Sequence, residues 1–235
     1  IILVGGNKMN NNIITYDLLI WIGLLVTIIA QILVSVSYSK YKRKLNNKDL
    51  TGFDAARKIL DKNNLQDIIV LETKGNLTDH YDPTKKVVKL STDIYHGSSI
   101  ASLAVAAHEC GHAIQDKVNY KPMRIRSKIV PTVNICTHLG YLAILIGAIF
   151  SYKLMEIGII LLLSLLVFQL ITLPVEFNAS KRALKELENL KLLDNEELPA
   201  AKNMLAAAAF TYVASMLSTL LEILRYVLIF TNRDN

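Results

Sequence analysis

Four long apolar runs restrict the folds that are open to this chain. They lie at about residues 13–36, 131–150, 154–175 and 204–230. Each reaches the roughly 20 residues that a helix needs to cross the hydrocarbon core of a bilayer. A mean hydropathy of +0.34 and a charged fraction of only 20% agree with this pattern. We therefore expect a multi-pass membrane protein that is mainly α-helical, with about four transmembrane helices.

The first apolar run could also be a cleaved signal peptide. Residues 13–36 are longer than the apolar core of a signal sequence, no strongly basic segment precedes them, and no clear small-residue cleavage site follows. We interpret the run as a retained anchor behind an N-terminal segment, residues 1–12. We attach no function to residues 1–8, which precede Met9.

Basic residues predict the orientation. They flank the polar segment between the first and second runs and recur between the third and fourth, at Lys40, Lys42, Arg43, Lys44, Lys48, Lys117, Lys121, Arg124, Arg126, Lys128, Lys181, Arg182 and Lys185. The connection between the second and third runs has only Lys153. Because cytoplasmic loops are enriched in lysine and arginine, we expect segments 37–130 and 176–203 to be cytoplasmic in a protein of the cell membrane. The net charge of +6 suits the headgroups of a lipid bilayer, and no nucleic-acid partner is expected.

The polar segment 37–130 has the pattern of a small α+β domain. Residues 50–65 form an amphipathic pattern with Thr51 as the expected N-cap, and Asp54, three residues later, completes an acidic variant of the capping box. Two β-branched runs, 67–75 and 85–91, predict two strands separated by the turn-rich residues 76–84. An alanine-rich helix, capped by Ser98 or Ser99, should then extend to Asp116.

That alanine-rich helix contains the pattern H-E-x-x-H. His108 and His112 are four residues apart, so they share one face of the helix and can bind the same Zn²⁺ ion. Glu109 is placed to take a proton from a water molecule on the metal. Cys110 should point away from the histidine pair, as a buried thiol.

A catalytic zinc site needs a third protein ligand. The candidates are Glu176, His80, His96 and His138. Two membrane crossings separate the histidine motif from Glu176, which returns this carboxylate to the same side of the membrane, whereas His138 lies inside an apolar run. Glu176 is therefore the preferred ligand, with His80 and His96 as alternatives. Ser180 lies one turn further on, on the same helical face, and could orient the Glu176 carboxylate without binding the metal itself.

Three stretches carry a family resemblance. LTDHYDP at 77–83, AVAAHECGHAIQ at 104–115 and LPVEFNASKRAL at 173–184 resemble the YugP-type neutral zinc metallopeptidases of bacterial membranes, over nearly the whole chain from Met9 onward. The layout is also similar to the membrane gluzincins that include the CAAX prenyl proteases and the HtpX heat-shock protease. The resemblance implies a zincin-like catalytic domain. In those relatives an acid stands where this chain has Ser180.

The resemblance also implies how a substrate would bind. An extended peptide would add to an edge strand, and we name Asn76, Leu77 and Thr78 as candidate substrate-binding positions. A donor for the oxyanion or the substrate could come from His80 or Tyr81, or from a residue of the third stretch, Arg182. The sequence leaves the choice among these donors open.

The leading hypothesis is a membrane-embedded zinc endopeptidase that acts near the cytoplasmic face on peptides or membrane proteins. It would hydrolyse the peptide bond by attack of zinc-bound water, assisted by Glu109. The alternative is a zinc-binding membrane scaffold without catalysis. Glu109 separates the two, since a scaffold has no use for a base between its metal ligands. The sequence does not predict an oligomeric state.

Overall fold

The computed structural model describes the backbone of residues 2–233 and the side chains of residues 16–231. The predicted segment 1–12, which includes residues 1–8, lies outside the residues whose side chains are described. The described chain is mostly helical, with one small sheet. Its elements, in chain order, are α1 (Ile2–Lys42), α2 (Gly52–Lys62), β1 (Ile69–Thr73), β2 (His80–Asp82), β3 (Val87–Ser91), α3 (Thr92–Tyr95), α4 (Ile100–Lys117), α5 (Lys121–Phe150), α6 (Tyr152–Asn189) and α7 (Leu198–Arg233).

Four of the helices have the length and apolar composition needed to cross a membrane. They are Tyr16–Lys42 within α1, Lys121–Phe150, Tyr152–Asn189 and Leu198–Thr231. The prediction of four membrane-length apolar helices is thus confirmed.

The bounds of two of these helices differ from the apolar runs. Helix α5 begins at Lys121, ahead of the run at 131, and α6 continues to Asn189, beyond the run that ends at 175. Pro131 and Pro174 lie inside the two helices. A proline removes one backbone donor, and a long helix packed against neighbours can absorb that loss. Glu176 consequently lies within the continuous helix α6.

The described contacts divide the chain into two compact units. One comprises residues up to 31, 125–172 and from 211 onward, and contains a core of Ile144, Met155, Ile159, Leu162 and Ile223. The other comprises residues 32–124 and 173–210 and holds the sheet, α2 to α4 and the end of α6.

The sheet has three strands in the order β1-β3-β2, with β1 parallel and β2 antiparallel to β3. The sequence predicts only two strands, since the segment 76–84 reads as a turn. Part of that segment forms β2, because Tyr81 pairs with Val88 and buries its ring to 8% exposure. His80 therefore lies in a strand and not in a turn.

Helix α4 is the centre of the second unit. Its N-cap is Ser99, whose hydroxyl accepts a hydrogen bond from the Ser102 amide at 3.0 Å. Helix α2 packs against α4 and begins with the predicted capping box of Thr51 and Asp54. Small residues of α4, including Ala104 and Ala107, are fully buried. The alanine-rich sequence therefore lets neighbouring elements approach this helix closely.

Candidate metal centre

The histidine pair lies on the side of α4 that faces the end of α6. The rings of His108 and His112 are stacked edge to face, with their centroids 4.8 Å apart. This is the spacing expected of residues i and i+4 on one helical face. Both rings are mostly buried, with 17% and 12% of their side chains exposed.

A small-residue contact brings α6 close to this face. A Cβ atom added at Gly111 would lie 2.6 Å from the carbonyl oxygen of Ala179 and 3.2 Å from its Cα. Real side chains do not approach a backbone so closely, so the helix spacing requires glycine at position 111. The contact falls between the two histidines on α4 and one turn after Glu176 on α6.

The close approach gathers three potential ligands. The Oε2 atom of Glu176 lies 3.3 Å from His108 Nε2 and 3.6 Å from His112 Nε2. The ligand atoms of all three residues lie within 4.8 Å of one another. Ligands at about 2.0–2.1 Å from a tetrahedral zinc ion are separated by about 3.3–3.4 Å. Both separations from Glu176 are close to this value and the third is within 4.8 Å, so the residues present fit a zinc ion.

Charge and burial also favour a cation here. Glu176 is only 2% exposed and Glu109 is 8% exposed, and buried carboxylates require a compensating positive charge. Burial alone would lower the pKa of His112, but the hydrogen bond with Glu176 and the charges of both carboxylates outweigh burial and raise this pKa. A divalent cation would likewise supply the positive charge that the buried carboxylates of Glu176 and Glu109 require.

The remaining ring nitrogens have partners of their own. Ser180 Oγ lies 3.2 Å from His108 Nδ1, and Gln115 Oε1 lies 3.0 Å from His112 Nδ1. Ser180 thus contacts His108, whereas the sequence suggests contact with Glu176. Gln115 was not predicted. Its signal was its position, three residues after His112 and hence on the same face of α4.

The other candidate ligands have different surroundings. His80 Nδ1 lies 2.7 Å from the Thr78 carbonyl oxygen in an exposed contact. His96 Nε2 lies 3.2 Å from Glu72 Oε2 on the surface, with 63% of its side chain exposed. His138 Nδ1 contacts the carbonyl oxygen of Asn134. The structure gathers none of the three into the described cluster.

The predicted donors differ in availability. The Tyr81 hydroxyl donates to the buried Asp116 carboxylate at 2.9 Å. Burial, reinforced by Asp116, raises the pKa of Tyr81. Arg182 Nε donates to Asn178 Oδ1 at 2.8 Å, and Asn178 in turn contacts Gln115. Arg182 is therefore linked to the histidine cluster through two side chains.

The predicted substrate-binding positions lie in the loop between β1 and β2, outside both strands. Leu77 has a left-handed backbone, with φ of 57°, and its side chain is 66% exposed. Thr78 donates from its hydroxyl to the Lys74 carbonyl oxygen at 3.2 Å. Asn76 lies beside Gly75, whose φ of 103° turns the chain here.

Cys110 points to the opposite side of α4. Its thiol is fully buried and lies 3.7 Å from the carbonyl oxygen of Ala56 in α2. Burial raises the pKa of the thiol, which opposes the thiolate form that binds metals. Cys110 is not part of the cluster of His108, His112 and Glu176.

Comparisons with known proteins agree with this geometry. Residues 16–231 match the model of a family described as "Putative neutral zinc metallopeptidase". The chain is 45% identical over 204 residues to the "Putative membrane protease YugP" of Bacillus subtilis (strain 168), an alignment that covers 86% of this chain and 91% of that protein. No solved structure matches the chain. With almost its whole length matched and its histidine and glutamate ligand atoms gathered, the chain belongs to this family of neutral zinc metallopeptidases.

Proposed function

We propose that the chain is a zinc-dependent endopeptidase embedded in the cell membrane. The observation that carries the proposal is that Glu176 Oε2 lies 3.3 Å from His108 Nε2 and 3.6 Å from His112 Nε2, close to the ligand–ligand distance of a tetrahedral zinc site. These three residues would hold the ion. When bound, zinc would supply Lewis-acid chemistry, lowering the pKa of water and polarising the scissile carbonyl.

Glu109 would serve as the general base and then as the general acid. It directly follows His108, is largely shielded from bulk solvent at 8% exposure, and its charge acts on the nearby His112. It would accept a proton from the attacking water and deliver that proton to the leaving amine. No covalent intermediate with the protein is required.

The substrate would be a peptide segment, including segments of membrane proteins. An extended chain could pair with the outer edge of β2, which is the last strand of the described sheet, next to the loop that holds Asn76, Leu77 and Thr78. Among the three predicted donors, Arg182 is best supported as the group that contacts the oxyanion or the substrate. Its guanidinium is linked to His112 through Asn178 and Gln115. The hydroxyl of Tyr81 contacts Asp116 and the ring of His80 contacts Thr78, and neither partner belongs to that chain of contacts.

The catalytic segments would lie on the cytoplasmic side. The support is the excess of lysine and arginine in 37–130 and 176–203 over the connection between the second and third apolar runs. The zincin-like domain would then act on substrates at the inner membrane face. Labelling of single cysteines in intact cells tests this placement: a cysteine introduced at Lys153 should react with an impermeant reagent, and one at Lys85 should not.

The second candidate is a zinc-binding scaffold without catalysis. The same ligand cluster would serve it, and its distinguishing feature is that Glu109 would have no chemical role. The two functions therefore predict different behaviour of one isosteric variant, Glu109→Gln.

The experiment compares the purified full chain with Glu109→Gln, Glu176→Ala and the control Glu188→Gln. Glu188 is exposed on α6, so this control removes the same charge away from the cluster. Zinc per polypeptide and cleavage of casein or a membrane-protein substrate are measured.

We expect about one zinc ion in the wild type, Glu109→Gln and Glu188→Gln, with cleavage lost only in Glu109→Gln among these three. Glu176→Ala should lose both zinc and cleavage. Equal cleavage by the wild type and Glu109→Gln would overturn the proposed mechanism, and an unchanged zinc content in Glu176→Ala would reject that ligand.

A further inference from the structure

Gln115 is a fully buried amide at the junction of α4 and α6. Its side chain has no solvent exposure, and a buried amide is costly unless its polar atoms have partners. Both of its polar atoms do. The Nε2 atom contacts the Val175 carbonyl oxygen and Asn178 Oδ1, and the Oε1 atom contacts His112 Nδ1.

The direction of the amide follows from its surroundings. The Val175 carbonyl oxygen can only accept a hydrogen bond, and it lies 2.8 Å from Gln115 Nε2. The NH₂ group must therefore face Val175. Its oxygen is left facing His112 Nδ1 at 3.0 Å.

Asn178 independently gives the same direction. Arg182 Nε can only donate, and it lies 2.8 Å from the side-chain oxygen of Asn178. That oxygen must therefore be the atom at this position, and it also lies 3.0 Å from Gln115 Nε2. Two acceptors, one on the backbone and one oriented by an arginine, thus hold the NH₂ group of Gln115.

The locked amide determines which nitrogen of His112 carries the proton. Because Gln115 Oε1 can only accept, the proton of a neutral His112 must be on Nδ1. The lone pair is then on Nε2, the atom that lies 3.6 Å from Glu176 Oε2. The opposite tautomer would place a hydrogen where a metal must bind.

The partner of His108 has no such effect. Ser180 Oγ is a hydroxyl that can donate or accept, so its contact at 3.2 Å is compatible with either tautomer of His108. The protein therefore fixes the tautomer of His112 but not that of His108.

We infer that Gln115 is a positioning residue of the metal centre, which sets the tautomer and ring orientation of His112 from its anchors on α6. This inference rests on the proposed function, in which the cluster holds zinc. Outer-shell partners of metal-binding histidines typically contribute a factor of about 10–100 to metal affinity.

The test uses the full chain in detergent, with zinc affinity measured by chelator competition and ligand geometry by the visible spectrum of the Co²⁺-substituted protein. Gln115→Met keeps the volume of the side chain but removes the amide. Ile114→Val is the matched control, since it loosens the packing of a neighbouring buried residue without touching the hydrogen bonds.

We expect Gln115→Met to bind zinc about 10–100-fold more weakly and to show an altered Co²⁺ spectrum, with Ile114→Val close to the wild type. Wild-type affinity and spectrum in Gln115→Met would overturn the inference, as would an equal loss in Ile114→Val. If Gln115→Met does not fold, Gln115→Asn replaces it, since the shorter side chain withdraws the amide oxygen from His112 Nδ1; zinc binding as tight as in the wild type would then count against the inference. A wild-type chain that takes up no zinc would instead overturn the proposed function.

Discussion

The packing of Gly111 against Ala179 permits a quantitative prediction for Gly111→Ala. The added Cβ would lie 2.6 Å from the Ala179 carbonyl oxygen, and ordinary contact begins at 3.4 Å. Restoring that contact requires the helices to separate by 3.4 − 2.6, or about 0.8 Å. A shift of this size along the line between ligands would lengthen the His108 to Glu176 separation from 3.3 Å to about 4.1 Å, beyond the roughly 3.3–3.4 Å of a tetrahedral zinc site.

The expected effect on metal binding exceeds the effect on stability. Overpacking costs about 1–3 kcal/mol, and replacing a helical glycine by alanine returns up to about 1 kcal/mol. We therefore expect a modest loss of stability but a decrease in zinc affinity on the order of 10–100-fold, comparable to the loss of an outer-shell partner. Chelator competition measures the affinity, and thermal unfolding of the metal-free protein measures the stability.

Two further variants distinguish helix spacing from general destabilisation. Cys110→Ala leaves a small cavity on the side of α4 that faces α2, so it should lower stability without affecting zinc. In Gly111→Ala, an additional Ala179→Gly change should not restore zinc binding, because the clash is with backbone atoms. Wild-type zinc affinity in Gly111→Ala would refute the argument, and so would rescue by Ala179→Gly.

Two other variants test the surroundings of the site. Ser180→Asp should bind zinc more tightly than the wild type, because a carboxylate accepts a stronger hydrogen bond from His108 Nδ1; a lower affinity on chelator competition would contradict this. Burial alone would raise the pKa of Asp116, but hydrogen bonds from Lys86 and Tyr81 outweigh it and hold the pKa below its usual range. This stabilisation is present above about pH 4 and is lost as pH falls through the lowered pKa. Asp116→Asn should therefore destabilise the metal-free protein by about 1–3 kcal/mol at pH 7 and by less at pH 3. An equal difference in thermal stability at both pH values would count against this role.

Features encoded locally were accessible from the sequence. Four membrane-length helices follow from runs of apolar residues, since transfer of each residue into lipid depends mainly on its own side chain. The capping box of Thr51 and Asp54 is likewise a contact over three residues. The spacing of His108 and His112 places both imidazoles on one face of any helix that contains them.

Features that depend on distant partners were not accessible from the sequence. Strand β2 forms in a segment rich in turn residues because Tyr81 reaches Asp116, 35 positions later. Helix α6 continues through Pro174, where local propensity indicates an end. Gln115 is an ordinary helical residue until Val175 and Asn178 of α6 lie against it.

The sequence by itself determined the four apolar helices, the zinc-binding pair His108 and His112 as a hypothesis, and Glu176 as the preferred third ligand. Only the tertiary structure decided that the third carboxylate lies 3.3 Å from one imidazole and 3.6 Å from the other. The physical reason is the missing side chain of Gly111, which lets α4 approach the backbone of Ala179. A helical pattern specifies which side chains share a face, but the distance between two faces depends on the residues packed between them.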